Sequence, residues 1–211
     1  NNLTLSPTIT AARTYTFGSD AITIDGNFNI NPTASSALAL TVNMGAAITV
    51  GATKTTTITR TTSATSNLDT TGTNYALSTG NLDIATGGTL TANGSTITFT
   101  GTTGTLFTRT GTFTAGTSTV VMNPDAAATL TSGTITFNNL TLSPTITAAR
   151  TYTFGSGALT IDGNFNINPT ASSALALTVN MGAAITVAAT KTTTITRTTS
   201  ATSNLDTTGT N

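Results

Sequence analysis

Residues 1–74 return as residues 138–211 with 71 of 74 positions identical, an offset of 137. The three differences are Asp20 against Gly157, Ile22 against Leu159 and Gly51 against Ala188. A long period copied this faithfully is the mark of an array built by duplication, in which neighbouring units stack to bury one continuous core. A single active site has no need to be present twice. A rod, stalk or fibre does. Residues 1–137 therefore read as one full unit and 138–211 as the first part of the next, continuous and without a linker.

The alternation of Thr134-Ile135-Thr136-Phe137 runs on through Asn138-Asn139-Leu140-Thr141-Leu142, so Asn1, the equivalent of Asn138, starts partway through a unit. With no initiator Met, signal peptide or tag, the expectation is a window of about one and a half repeats from a longer protein.

Thr supplies 60 of the 211 residues, while Glu, His, Cys and Trp are absent. Seven Asp balance seven Lys or Arg. A surface so poor in charge does not suit nucleic acid, which needs basic groups against its phosphates. It does not suit an electrostatic membrane anchor either, and no apolar run approaches the roughly 20 residues of a membrane-spanning helix. The lack of Cys excludes a disulfide framework without fixing the compartment. Disorder does not fit, because disordered chains lack the β-branched residues and apolar pattern found here. Thr, Ile, Val, Phe and Tyr fit a pleated, half-buried surface, and good helix formers are scarce. The expected class is all-β.

Apolar residues alternate with Thr or Asn in short bursts, the period-two signature of strands with one buried face. Leu3, Leu5, Phe17, Ile22, Ile24, Phe28, Ile30, Leu40 and Val42 are expected to point inward. Turn residues punctuate the bursts, as at Gly18-Ser19, Asp25-Gly26, Asn31-Pro32, Asn93-Gly94 and Asn123-Pro124. Tandem β-sandwiches could carry such a pattern, one per repeat. A β-solenoid, or parallel β-helix, is favoured by related phrases inside the repeat: Gly26-Asn27-Phe28-Asn29-Ile30, Gly80-Asn81-Leu82-Asp83-Ile84 and Gly111-Thr112-Phe113-Thr114-Ala115. Their separations of 54 and 31, with 52 more to Gly163, predict coils of roughly 17–20 residues, seven or eight to the repeat.

The phrases Gly111–Val121, Thr134–Leu142 and Ala158–Phe165 resemble large Thr-, Gly- and Asn-rich repetitive bacterial surface proteins, similar in style to filamentous-haemagglutinin-type adhesins. The resemblance spans the chain and implies a parallel β-helix, secretion, and a cell-surface or extracellular filament role. It carries over no binding residue. The alternative is an adhesin whose repeats project a separate ligand-binding domain, its glycan or surface target open.

One polar row is a weak calcium candidate. Asp25, Asn27, Asn29 and Asn31 alternate on one strand face and return as Asp162, Asn164, Asn166 and Asn168. Oxygen ligands at this spacing resemble parts of calcium loops, but one carboxylate per cluster is thin for a hard cation. The competing reading is an outward ladder of stacked Asn between coils. Thr-x-Thr triplets such as Thr14-Tyr15-Thr16, Thr96-Ile97-Thr98 and Thr112-Phe113-Thr114 resemble ice-binding surfaces. Their irregular spacing is also what β-propensity alone produces. Without His, Cys or Glu, a nucleophile would need Asp or Lys as its base, so no enzyme activity and no cofactor are expected. Asn2, Asn93 and Asn139 each open an Asn-x-Ser/Thr sequon. The expected partner is the chain itself, through neighbouring repeats and further copies end to end.

Overall fold

The computed structural model describes residues 1–102, 104–131 and 133–207. Among these residues there are 29 strands and no helix. The strands pair in parallel with strands one coil away, and the chain winds as a three-faced β-solenoid. The first face carries nine strands, from Leu3–Leu5 through Phe28–Ile30 and Thr55–Ile58 to Thr202–Asp206. The third face carries eight, from Ile22–Ile24 to Thr193–Ile195. The second face holds five paired strands, Arg13–Thr16 to Thr112–Thr114. Three more, Ile135–Phe137, Leu159–Ile161 and Ile185–Val187, occupy the same place in later coils.

Each coil is longer than the phrase spacing predicts. Along the first face Leu3 pairs with Phe28, Phe28 with Thr56, Thr56 with Leu82, Leu82 with Phe107 and Phe107 with Leu130. These steps are 25, 28, 26, 25 and 23 residues, in place of 17–20. The reason is geometric. Gly26 and Gly80 precede first-face strands two coils apart, whereas Gly111 precedes a second-face strand and Gly163 a third-face strand. The phrases mark faces, so their separations are not whole numbers of coils.

The same point explains an unexpected placement. Leu3–Leu5 lies on the first face, but its copy in Asn139–Leu142 lies on the third. Arg13–Thr16 is on the second face and its copy in Arg150–Phe154 on the first; Ile22–Ile24 is on the third and its copy Leu159–Ile161 on the second. The 137-residue unit therefore advances five and two-thirds turns, about 27 Å of rod at roughly 4.8 Å per coil. Seven or eight coils per repeat is corrected accordingly. Inward-apolar, outward-polar alternation serves any of three equivalent faces, so one sequence fits two of them.

Ile24, Phe28, Ile30, Leu40 and Val42 are buried as expected, and Leu3, Leu5, Phe17 and Ile22 pack half-buried against the same core. Each fully buried large side chain contributes about 1.5–3 kcal/mol. A few hydroxyls share this interior. Thr56 donates to Thr79 Oγ1 at 2.9 Å, and Thr79 donates to the Asn81 carbonyl at 2.8 Å. Satisfied in this way, they avoid the penalty of a bare buried hydroxyl.

Corners bring one coil's backbone against the next, and glycine is required where no Cβ fits. At Gly45 a Cβ would strike the carbonyl oxygens of Phe17 and Gly18, and at Gly182 those of Phe154 and Gly155. Gly18, by contrast, faces open space. Gly182→Ala is expected to lower stability by about 1–3 kcal/mol through overpacking, and Gly18→Ala to stay within about 0.5 kcal/mol; denaturant titration of both variants checks this. The difference at position 51 follows the same rule. A Cβ there meets the Asp25 carbonyl oxygen at 3.2 Å, close but bearable, and the second copy carries Ala188.

Candidate functional site

The Asp/Asn row lies along the first face in one copy and the third in the other. Asp25 and Asn27 are exposed, Asn29 and Asn31 half-buried. The side-chain oxygens of the row bond between coils. Asn2 Oδ1 accepts the Asn27 N–H at 2.8 Å, and Asn27 Oδ1 accepts the Thr55 N–H at 3.0 Å. Asn31 Oδ1 accepts the Thr61 hydroxyl at 2.8 Å. The second copy repeats the pattern: Asn139 Oδ1 takes the Asn164 N–H at 2.9 Å, and Asn168 Oδ1 takes the Thr198 hydroxyl at 2.9 Å. Asn164 Oδ1 accepts both the N–H and the hydroxyl of Thr192, at 3.3 and 3.2 Å.

Within this row Asn meets Asn at Asn2–Asn27 and Asn139–Asn164, and elsewhere it meets Thr. Asn29 lies between Thr4 and Thr57, and Asn166 between Thr141 and Thr194. The ladder is mixed, with Asn carbonyls capping strand N–H groups that the turn leaves without a backbone acceptor. Asp25 and Asp162 sit at its ends as exposed single carboxylates. Among the described residues no group of three His, Cys, Asp or Glu gathers in space.

The Thr-x-Thr triplets do not share a plane. Thr14–Thr16 and Thr112–Thr114 lie on the second face, Thr96–Thr98 on the third, and Thr57 on the first. On the second face Asn67 interrupts the stack between Thr41 and Thr89, and Asp69 lies between Asn43 and Thr91. Two sequon asparagines use their side-chain nitrogen internally: Asn93 Nδ2 donates to Asp69 at 2.7 Å, and Asn139 Nδ2 to Asn138 at 2.9 Å.

Two carboxylates stand out, neither in the Asp/Asn row. Asp83 lies on the first face between Thr57 and Thr108, and partial burial raises its pKa. Asp125 belongs to a polar cluster joining two coils. Its Oδ1 accepts from Arg150 Nε at 2.7 Å and from the Thr147 N–H at 3.1 Å, and Oδ2 accepts the Thr147 hydroxyl at 2.5 Å. Beside it Tyr152 donates its hydroxyl to the Pro124 carbonyl at 2.7 Å. The hydrogen bond from Arg150, then that from Thr147, holds the Asp125 carboxyl down to about 2. Burial pushes the Tyr152 hydroxyl well above its ordinary value. Sequence spacing does not reveal this cluster, because its partners are 22 to 28 residues apart and meet only once the coil length is known.

The two carboxylates make opposite contributions to acid stability. Asp125 stabilises the fold above its unfolded pKa near 3.9, and that stability fades as pH falls toward about 2. Asp83, held above its ordinary value, opposes folding when ionised, so stability falls as pH rises through its window. The melting temperature of Asp125→Asn should lie below that of the parent at about pH 6, with the gap narrowing toward about pH 2. A constant gap across the scan would contradict the assignment.

Among the described residues no helix is long and apolar enough to cross a membrane. No protein-family model matches the chain, nor does any curated protein or solved structure.

Proposed function

We propose that the chain is a non-catalytic structural segment of a filament or stalk outside the cell or at its surface, cohering through β-ladders. The observation that carries this reading is the near-identical 74-residue stretch recurring after 137 residues within one continuous solenoid on a different face. A unit that rotates by a third of a turn between copies extends a rod; it does not rebuild a pocket. The absence of His, Cys and Glu from the sequence supports the non-catalytic part.

Cohesion then rests on backbone ladders, Thr and Asn rows and the apolar column. Exposed ion pairs contribute only about 0–1 kcal/mol each. Open solenoid ends carry unpaired N–H and C=O groups that invite another coil. Negative-stain electron microscopy should show long unbranched rods, unchanged in about 1 M salt, where the Debye length is about 3 Å. EDTA should not shorten them. Dispersal by salt would mean that charge holds the rods, and shortening by EDTA would restore the calcium reading of Asp25, Asn27, Asn29 and Asn31.

A further inference from the structure

The two copies differ most in what covers them. Residues 139–161 are covered by residues 119–137: Val120 pairs with Leu140, Met122 with Leu142, Ala128 with Tyr152, Leu130 with Phe154, and Phe137 with Ile161. The same sequence in residues 2–24 lacks that cover. Tyr152 is 0% exposed while Tyr15 is 40% exposed. Leu140 and Leu142 are buried, while Leu3 and Leu5 are half-buried.

The polar groups match as well. In the second copy the Thr147 N–H and hydroxyl and Arg150 Nε all serve the Asp125 carboxylate, and the Tyr152 hydroxyl serves the Pro124 carbonyl. In the first copy the equivalent donors belong to Thr10, Arg13 and Tyr15, all exposed.

We propose that the open edge of the first coil is a docking surface for a strand segment with the sequence of residues 119–137, supplied by another repeat. The Asn123-Pro124-Asp125 turn is its key. The Asp carboxylate seats on Thr10 and Arg13, and the Pro carbonyl accepts from Tyr15. This inference rests on the structural-segment reading and specifies which part of the repeat meets which edge.

One position discriminates. Gly157 lies against the backbone of Gly133 and Thr134 with no room for a Cβ, yet its counterpart is Asp20. Docking on the first copy must move that corner aside, and Asp20→Gly removes the obstacle. The least conservative of the three differences thus falls where the covering coil passes.

The test places residues 75–137 ahead of Asn1 in an otherwise full chain and follows tyrosine nitration by tetranitromethane on size-selected monomers. Trypsin releases Tyr15 and Tyr152 in peptides 14–54 and 151–191, which differ in mass through Asp20 against Gly157 and Gly51 against Ala188. In the present chain Tyr15 should react and Tyr152 resist. In the extended chain Tyr15 should slow by about tenfold or more, because reaction then requires local opening, and Asp20→Gly should slow it further. Undiminished Tyr15 nitration in an extended chain whose circular dichroism is still β would overturn the proposal. If the extended chain does not fold, a synthetic 119–137 peptide replaces it; protection of Tyr15 that grows with peptide concentration supports docking, and none at millimolar peptide rejects it. Because monomers are measured, this result is separate from whether rods form.

Discussion

Phe107→Ala should be among the most damaging single truncations in the chain, lowering stability by about 3–5 kcal/mol. Phe107 is fully buried on the first face, its ring 5.7 Å from Phe99, 5.9 Å from Phe113 and 6.3 Å from Phe137. Phe113 and Phe137 lie 5.6 Å apart, edge to face, where the second-face ladder passes from one set of strands to the next. Ring packing substitutes for the ladder at that step, and each such pair adds about 0.5–1.5 kcal/mol beyond its area. A domain stable by about 5–15 kcal/mol has little margin for this loss. Solenoids need not unfold in one step, so denaturant titrations should be compared for change in midpoint and in slope. Phe113→Ala, at a half-buried position, should cost less. A Phe107→Ala variant within about 1 kcal/mol of the parent would show that these rings do not join the two halves of the rod. A charge at Phe28, also fully buried, should disrupt its coil and the neighbours through an unpaired buried charge.

The second large effect comes from one substitution made at two identical sequence contexts. Tyr152→Ala should cost about 3–5 kcal/mol, and Tyr15→Ala less than about 0.5 kcal/mol. Both tyrosines sit in Arg-Thr-Tyr-Thr-Phe-Gly-Ser, so local propensity is the same. What differs is the covering coil: Tyr152 is enclosed and bonded to the Pro124 carbonyl, whereas Tyr15 is exposed. Tyr152→Phe isolates the hydroxyl and should cost about 1–3 kcal/mol by leaving that carbonyl without its donor. Equal losses at both positions would mean that the copies are covered alike, contrary to the fold described here.

The inward column was legible in the sequence because alternation is a local property. Ile24, Phe28 and Ile30 declare their burial within seven residues. Coil length was not legible, because a three-faced coil repeats its strand grammar on every face. Gly80 and Gly111 introduce similar phrases that lie on different faces. The polar row was found, but its bonding was not: Asn27 meets Thr55 and Asn31 meets Thr61 only through a step of 28 to 30 residues. The Asp125 cluster depends on the same step, which no local pattern encodes. Nothing local in the sequence gives a reason for Gly157 in place of Asp20; the reason lies in the backbone of Gly133 and Thr134, which leaves no room for a Cβ at Gly157.

The central claim is that the second copy sits one face away from the first. The chain has no cysteine, so engineered pairs report without background. Thr129 and Thr153 are neighbours on the first face, whereas Thr16, the first-copy counterpart of Thr153, lies on the second. Neighbouring strands lie about 4.8 Å apart, within the Cα separation that a disulfide spans. Under mild oxidation Thr129→Cys/Thr153→Cys should cross-link rapidly, and Thr136→Cys/Thr153→Cys should not. The reverse outcome would place both copies on the same faces and contradict the five-and-two-thirds-turn repeat.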